Sequence, residues 1–258
     1  MHIRPHFAEI DVPTLHQFIR ANPLGMVTTA IQHPTFDTLQ SSHIPFLIDA
    51  PENTAYDELA VDDRGHRPPG SLGVLRGHMG RNNPQTRAIL DSVKASGSNE
   101  LADPVLVLFT AEVHSYITPR WYTAARAESG KLAPTWQYSG VQVYGRLRVH
   151  HTGEDASNYL QRQVEDLTHL LEPRVPGKGW EISDASPRFI ELIKKGIVGL
   201  ELSITKIEGR IKMGQDETDG DWQGVVDGFK AEGTEKSQKM VDMMLERAKG
   251  RPGREAEQ

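Results

Sequence analysis

VLVLFTAEVHSYITPRWYTAARAESGKLAPTWQYSGVQVYGRLRV, residues 105–149, is the stretch whose reading decides the fold. It opens on Val105–Phe109, a continuous apolar run with the length of a buried strand. It closes with Val141, Val143, Leu147 and Val149 on one side of a period-two alternation, the pattern of a half-buried strand. Between the two lie His114, Tyr116, Thr118, Arg120, Trp121, Tyr122, Thr135, Trp136 and Tyr138. Rings, hydroxyls and a guanidinium at the ends of core strands suit a flat ligand. The same rings also serve as core filling, and composition alone leaves both readings open.

Working outward, further strands flank this stretch. Gly25–Ile31 (GMVTTAI), Ser41–Asp49 (SSHIPFLID) and Leu72–Met79 (LGVLRGHM) precede it, with Pro45 marking an edge or a bulge. Ile197–Ile207 follows, with Val198, Leu200, Leu202 and Ile204 alternating. Residues 50–71, rich in Pro, Asp, Glu and Gly, read as an exposed, mobile loop inserted between two strands. Helices are expected where caps and apolar stripes coincide. Asp11 caps one with Leu15, Phe18 and Ile19 on a face, and Asn83-Pro84 opens another. Thr152 starts a third, and Ser186-Pro187 a fourth with Phe189, Ile190 and Ile193 inward. Trp222–Phe229 and Thr234–Lys249 supply two more, and Gly250–Gln258 reads as a disordered tail.

Six or seven strands in neighbouring pairs, with helices early, between and late, make a mainly β (α+β) fold: an antiparallel barrel with peripheral helices. A doubly wound parallel sheet is disfavoured, because strands and helices do not alternate and no glycine-rich dinucleotide loop follows a strand. The organisation expected is one barrel domain over 1–230, carrying the 50–71 insertion, and a C-terminal helix with its tail over 231–258.

The chain has no cysteine, which removes disulfide scaffolds, thiolate metal sites and cysteine nucleophiles. No apolar run approaches the roughly 20 residues of a membrane span, and the opening MHIRPHF lacks a signal-peptide core. The expectation is a soluble cytoplasmic protein, or a nuclear one for a eukaryotic regulator. A net charge of −6 argues against a broadly basic nucleic-acid surface. The histidines show no tight ligand spacing, so no metal is expected, and no G-x-S-x-G elbow supports a nucleophilic serine.

The best anion candidate is Leu75–Asn83, LRGHMGRNN. Arg76 and His78 point the same way on a strand, Gly77 lets a ligand approach the backbone, and Arg81, Asn82 and Asn83 add donors before a helix N-terminus. Ser42 and His43 on a neighbouring strand complete that pocket. The bland alternative is an outward Arg76 and a plain helix cap. Lys212 and Gln215 after the last strand give a weaker signal.

Four motifs in order then carry a resemblance: LRGHMGRNNPQ, HSYITPRWY, PTWQYSGVQVYGR and KGIVGLELSITKIEGRIKMGQ. Together with MHIRPHF and SSHIPFLID, they resemble the PaiB family of FMN-binding, split-barrel negative transcriptional regulators over about residues 1–230. That family is similar to the pyridoxamine-phosphate-oxidase-like flavoproteins. The resemblance implies a six-stranded antiparallel split β-barrel, a homodimer and FMN at the subunit interface. It places the phosphate near Ser42, His43, Arg76, Gly77, His78, Arg81 and Asn82, and the ring near Thr28, Thr29, Thr118 and Trp121. Thr135, Trp136 and Tyr138 come from the partner subunit, and Lys212 and Gln215 match a terminal K-x-x-Q pattern. The 50–71 loop is longer than a compact hairpin and stands over or against that pocket.

Three functions compete: an FMN-binding regulator with DNA or a regulatory protein as partner, an FMN-dependent oxidoreductase with a nicotinamide reductant, and a non-catalytic module for haem or another planar ligand.

Overall fold

The structure, a computed structural model, describes residues 2–51, 54–130 and 132–248. In chain order the elements are β1 (Ala8–Glu9), α1 (Val12–Ala21), β2 (Leu24–Ala30), β3 (Leu39–Pro45), β4 (Leu47–Asp49), β5 (Val74–Gly80), α2 (Pro84–Ser96) and β6 (Val105–Thr110). Then come β7 (Ser115–Ile117), α3 (Ala124–Glu128), β8 (Thr135–His150), α4 (Gly153–Leu171), α5 (Pro187–Lys195), β9 (Ile197–Lys212), α6 (Asp219–Glu232) and α7 (Glu235–Ala248). They gather into two compact units: a barrel unit of 11–109 and 142–207, and a helical unit of 1–10, 110–141 and 208–258.

The strand order is β3-β2-β6-β8-β9-β5-β4. Its two ends are halves of one segment, because β3 and β4 are separated only by Phe46. β3 pairs antiparallel with β2, from Leu24↔Pro45 to Ala30↔Leu39, and β4 pairs antiparallel with β5, from Leu47↔Arg76 to Asp49↔Val74. A strand that changes partners at a bend brings the path back to its start, and this is how the barrel closes. The sequence points to six strands. The described chain has nine strand segments, of which the closed path counts six once β3 and β4 are joined. β1, on β9, and β7, on β8, are short additions that the period-two signal does not reach.

Pro45 causes the bend. It has no N–H to donate, and the next amide, Phe46, turns aside to the Pro23 carbonyl at 2.8 Å. The Phe46 ring then meets Phe109 edge-on at 5.9 Å inside the barrel. Two glycines leave room for these rings. A Cβ on Gly25 would lie 2.7 Å from Phe109, and one on Gly77 would lie 3.0 Å from Phe46. Val27, Leu75, Met79, Val107, Val143, Leu147, Leu200 and Leu202 complete an interior that is fully buried. Each such side chain contributes about 1.5–3 kcal/mol.

α1 starts where expected. The Asp11 carboxylate accepts from Thr14 N at 2.9 Å and Thr14 Oγ1 at 2.6 Å. These bonds hold its pKa below the usual carboxylate range. Asp11→Ala should therefore cost about 1 kcal/mol at neutral pH. A depressed carboxyl stabilises above its unfolded pKa and loses that contribution as pH falls through the folded value. Urea unfolding of both proteins at neutral and acid pH should show the gap closing in acid, and a constant gap would reject the cap.

Two expectations are corrected. The 50–71 segment is no free loop. Arg67 N donates to Thr205 O at 2.7 Å and Gly70 N to Ile204 O at 3.0 Å, while His66 Nδ1 meets Thr205 Oγ1 at 2.8 Å. Residues 64–70 lie along β9. In α5 the apolar stripe faces outward: Phe189, Leu192 and Ile193 are 54%, 58% and 41% exposed. Lys194 takes the inward position, because Glu191 (2.6 Å) and Gln161 (3.1 Å) satisfy its ammonium there.

The helical unit has its own core. Trp222, Val225, Val226 and Phe229 of α6 pack with Met240, Val241 and Met244 of α7, and with Ile117, Tyr122 and Met213. Gly233, at φ 65°, separates the helices. The domain boundary expected after residue 230 lies within the last turn of α6, which shares its core with α7. The tail expected at Gly250–Gln258 lies outside the described residues.

Candidate functional site

In the barrel unit, β2, β3 and the start of α2 bring together a row of hydroxyl and amide groups. Thr28 Oγ1 and Ser41 Oγ are 2.8 Å apart, and Ser42 Oγ accepts from Asn83 Nδ2 at 3.0 Å. Asn83 caps α2 through Gln85 N at 2.8 Å. Thr29 faces the interior, where its Oγ1 accepts from Gln85 Nε2 at 3.1 Å. His43 and Asn82 are exposed. Ser42 and the α2 N-terminus lie on one face of the β2–β3 pair, with Asn82 beside the cap, whereas Thr28, Ser41 and His43 lie on the other.

The arginines have other tasks. Arg76 Nε and Nη2 reach Asp49 at 2.5 and 3.0 Å, Nη2 also reaches Asp166 at 2.8 Å, and Nη1 reaches Gln163 at 3.4 Å. All three nitrogens are engaged under α4, so this guanidinium pins α4 to β5. Gly77 gives its space to the Phe46 ring. Arg81 donates to the carbonyls of Lys195, His151 and Ile197 at 3.2, 2.8 and 3.3 Å, clamping the α5–β9 junction. His78 differs: its Nδ1 is buried without a partner, and burial pushes its pKa down. It is a neutral imidazole with unused hydrogen-bonding capacity.

In the helical unit the predicted residues divide again. Thr118 caps its own turn, accepting from Arg120 N at 3.3 Å. Trp121 packs edge-on against Phe229 at 4.9 Å and belongs to the helical core. Gln215 is occupied locally, accepting from Met213 N at 2.7 Å and donating to Ile211 O at 2.6 Å. Trp136, Tyr138, Thr135 and Lys212 remain at the surface or half-buried. Trp136 pairs across strands with Tyr116, and its Nε1 donates to His114 Nδ1 at 3.1 Å. The Lys212 ammonium donates to Thr135 Oγ1.

Arg210 belongs with this group and is not among the residues the sequence singles out. Its guanidinium lies 5.4 Å from the Tyr138 ring and 5.5 Å from the Phe7 ring. The available signal is its i, i+2 relation to Lys212. It goes unread because the alternating pattern of the last strand fades at Ile207, five residues before β9 ends. A cleft of about 820 Å³ in the same unit carries Glu9, Asp216, Glu217 and Asp219 on its walls. Arg247 and His6 share that lining.

With this geometry in place, comparison with known proteins is decisive for the family. The family described as "Putative FMN-binding domain" matches residues 1–206. The chain belongs to this FMN-binding family. A protein of Emericella nidulans, AN0679, is 40% identical over 258 residues, covering 96% of this chain and 97% of its own. The protease synthase and sporulation protein PAI 2 of Bacillus subtilis is 24% identical over 253 residues, covering 96% and 99%. Among solved structures, the flavocytochrome Anf3 of Azotobacter vinelandii aligns with a TM-score of 0.43 at 11% identity, over 82% of this chain and 72% of that one. The FMN-binding family membership makes FMN the cofactor, and the residues present fit it in kind. The barrel unit offers hydroxyls, a helix N-terminus and the unpartnered His78 Nδ1. The helical unit offers the exposed Tyr116 and Trp136 rings and the half-buried Tyr138, which lies beside Arg210.

Proposed function

We propose that the protein is a PaiB-type regulator: a homodimer that holds FMN where two copies meet and reports flavin state to a partner. The observation that carries this is the exposure of Tyr116 and Trp136, 49% and 46%, which face each other across β7 and β8 with Tyr138 further along the same strand. Large rings left in water mark a surface that a flat ligand and a second subunit cover. Trp136 and Tyr138 supply the face for the ring. Ser42 and the N-terminus of α2 supply phosphate donors, and Thr28 and His43 stand on the other face of the same strand pair. Arg76, Gly77, Arg81, Trp121 and Gln215 hold the frame. FMN brings the redox chemistry; the chain's residues bind, orient and shield it. The net charge of −6 favours action through a protein partner over direct contact with DNA.

The test is an absorption spectrum of the full chain after adding FMN and desalting, with the mass by light scattering. The expected result is retained flavin bands, a flavin for each chain and a dimer mass. A colourless monomer would overturn the reading. Bleaching of the bound flavin by a nicotinamide reductant, with turnover, would move the protein from regulator to oxidoreductase.

A further inference from the structure

The outward face of β2, β3 and β6 breaks the rule that an antiparallel sheet with one side in water alternates apolar inside with polar outside. β6 is apolar from Val105 through Phe109, the pattern of a strand covered on both sides. Val105, Val107 and Phe109 are buried in the barrel. Leu106 and Leu108 point the other way and are only half-buried. Strand pairing extends this surface. Met26 lies between Leu108 and His43, and Thr28 lies between Leu106 and Ser41. Leu24 and Leu39, at opposite ends of the β2–β3 pair and on the same face, are 58% and 70% exposed.

Charge indicates what covers this face. The three strands, LGMVTTA, LQSSHIP and VLVLFT, contain no Asp, Glu, Lys or Arg, in a chain that is 25% charged and carries a net charge of −6. Two copies of such a chain repel over most of their surface. A two-fold contact also sets a charge near its axis against its own twin. A face without charges avoids both costs. A face for a different protein carries charges that select and orient it, and a lipid surface needs cations for its headgroups. Charged groups begin at the border, next to β6, where Arg146 of β8 pairs with Glu100 at 3.1 Å. An uncharged apolar centre with a polar rim is the anatomy of a protein interface.

We infer that a second copy of this chain docks on the outer face of β2, β3 and β6, so that the same three strands of two barrels meet about a two-fold axis. Leu106, Leu108 and Met26 form the apolar centre of the contact, and Thr28, Ser41 and His43 supply its polar groups. Face-to-face sheets pack about 10 Å apart, close enough to bury both sides of β6 as its sequence demands. The inference rests on the two-copy part of the reading above and not on its flavin: the contact forms between flavin-free chains.

The test measures the dimer dissociation constant of the full chain, freed of flavin, by sedimentation equilibrium. Leu39→Lys and Leu106→Lys each place an ammonium in the contact. Each should raise the constant at least about tenfold, because an unpaired charge is costly to bury. Leu192→Lys is the control: that leucine is 58% exposed on α5, and its replacement should leave the constant unchanged. Leu39 is mostly in water within one copy, so its variant keeps the test open if Leu106→Lys fails to fold, and urea unfolding of each variant checks this. A dimer unmoved by both substitutions, or split by Leu192→Lys alone, would overturn this contact and leave the homodimer standing. A natural chain that stays monomeric would overturn both. A dimer that the two lysines split, in a protein that retains no FMN, would sustain the contact and remove flavin from the proposed function.

Discussion

Arg76→Ala is expected to lower stability by about 2–3 kcal/mol and leave FMN affinity per folded molecule nearly unchanged. For a chain of this size the loss corresponds to a fall in Tm of roughly 4–12 °C. The ion pairs alone do not set this magnitude. The Asp49 and Asp166 side chains are 51% and 39% exposed, so solvent screens both attractions and rehydrates both carboxylates once the arginine is gone. The cost comes from the buried end. The guanidinium is 9% exposed, and its removal leaves a hole between β5 and α4. It also strips a donor from Gln163, which is fully buried and whose Nε2 donates back to Arg76 O at 3.3 Å. Arg76→Met, which keeps the stem and drops the charge, should recover much of the loss. Denaturant unfolding of both variants, together with FMN titration, checks the assignment. Full stability with FMN binding weakened tenfold or more would return Arg76 to the phosphate.

The contrast between Arg76 and the barrel shows what the sequence carries. Barrel strands were legible because burial on one face writes itself as alternation: Val198, Leu200, Leu202 and Ile204 are apolar, and all are buried. Caps were legible for a related reason. Asp11, Asn83 and Ser186 satisfy amides two or three residues away, a local event with a local signature. The partners of Arg76 are 27, 87 and 90 residues away along the chain, and no local pattern separates a guanidinium facing a phosphate from one facing Asp49. α5 failed for the same reason in reverse. Its apolar stripe was real, but the position of Lys194 was set by Gln161, 33 residues earlier on α4. The aromatic residues near the centre of the chain stand out in the sequence as a group. Which of them line a surface and which fill a core depends on α6, whose glycines make space for one ring only.

That ring is Trp121, and its replacement by alanine should cost about 3 kcal/mol, the lower end for a large aromatic because the side chain is only half-buried. α6 is shaped for it. Trp121 packs on Phe229, and a Cβ on Gly228 would overlap the indole ring itself. Gly228→Ala should therefore destabilise by about 1–2 kcal/mol, since overpacking exceeds the roughly 1 kcal/mol that alanine gains over glycine within a helix. In the double variant the added methyl enters space vacated by the indole. The two changes should then cost less together than their sum, with a coupling of about 1–2 kcal/mol. Gly224 supplies the control. A Cβ there would strike the backbone carbonyl of Trp121, which no side-chain truncation removes. Gly224→Ala should stay as damaging in the Trp121→Ala background as in the natural chain. Urea unfolding of the variants measures all of this, and FMN titration against the folded fraction separates core from site. Strict additivity of Trp121→Ala and Gly228→Ala would show that the ring does not occupy the glycine notch. Intact stability with lost flavin binding would place the indole on the cofactor instead.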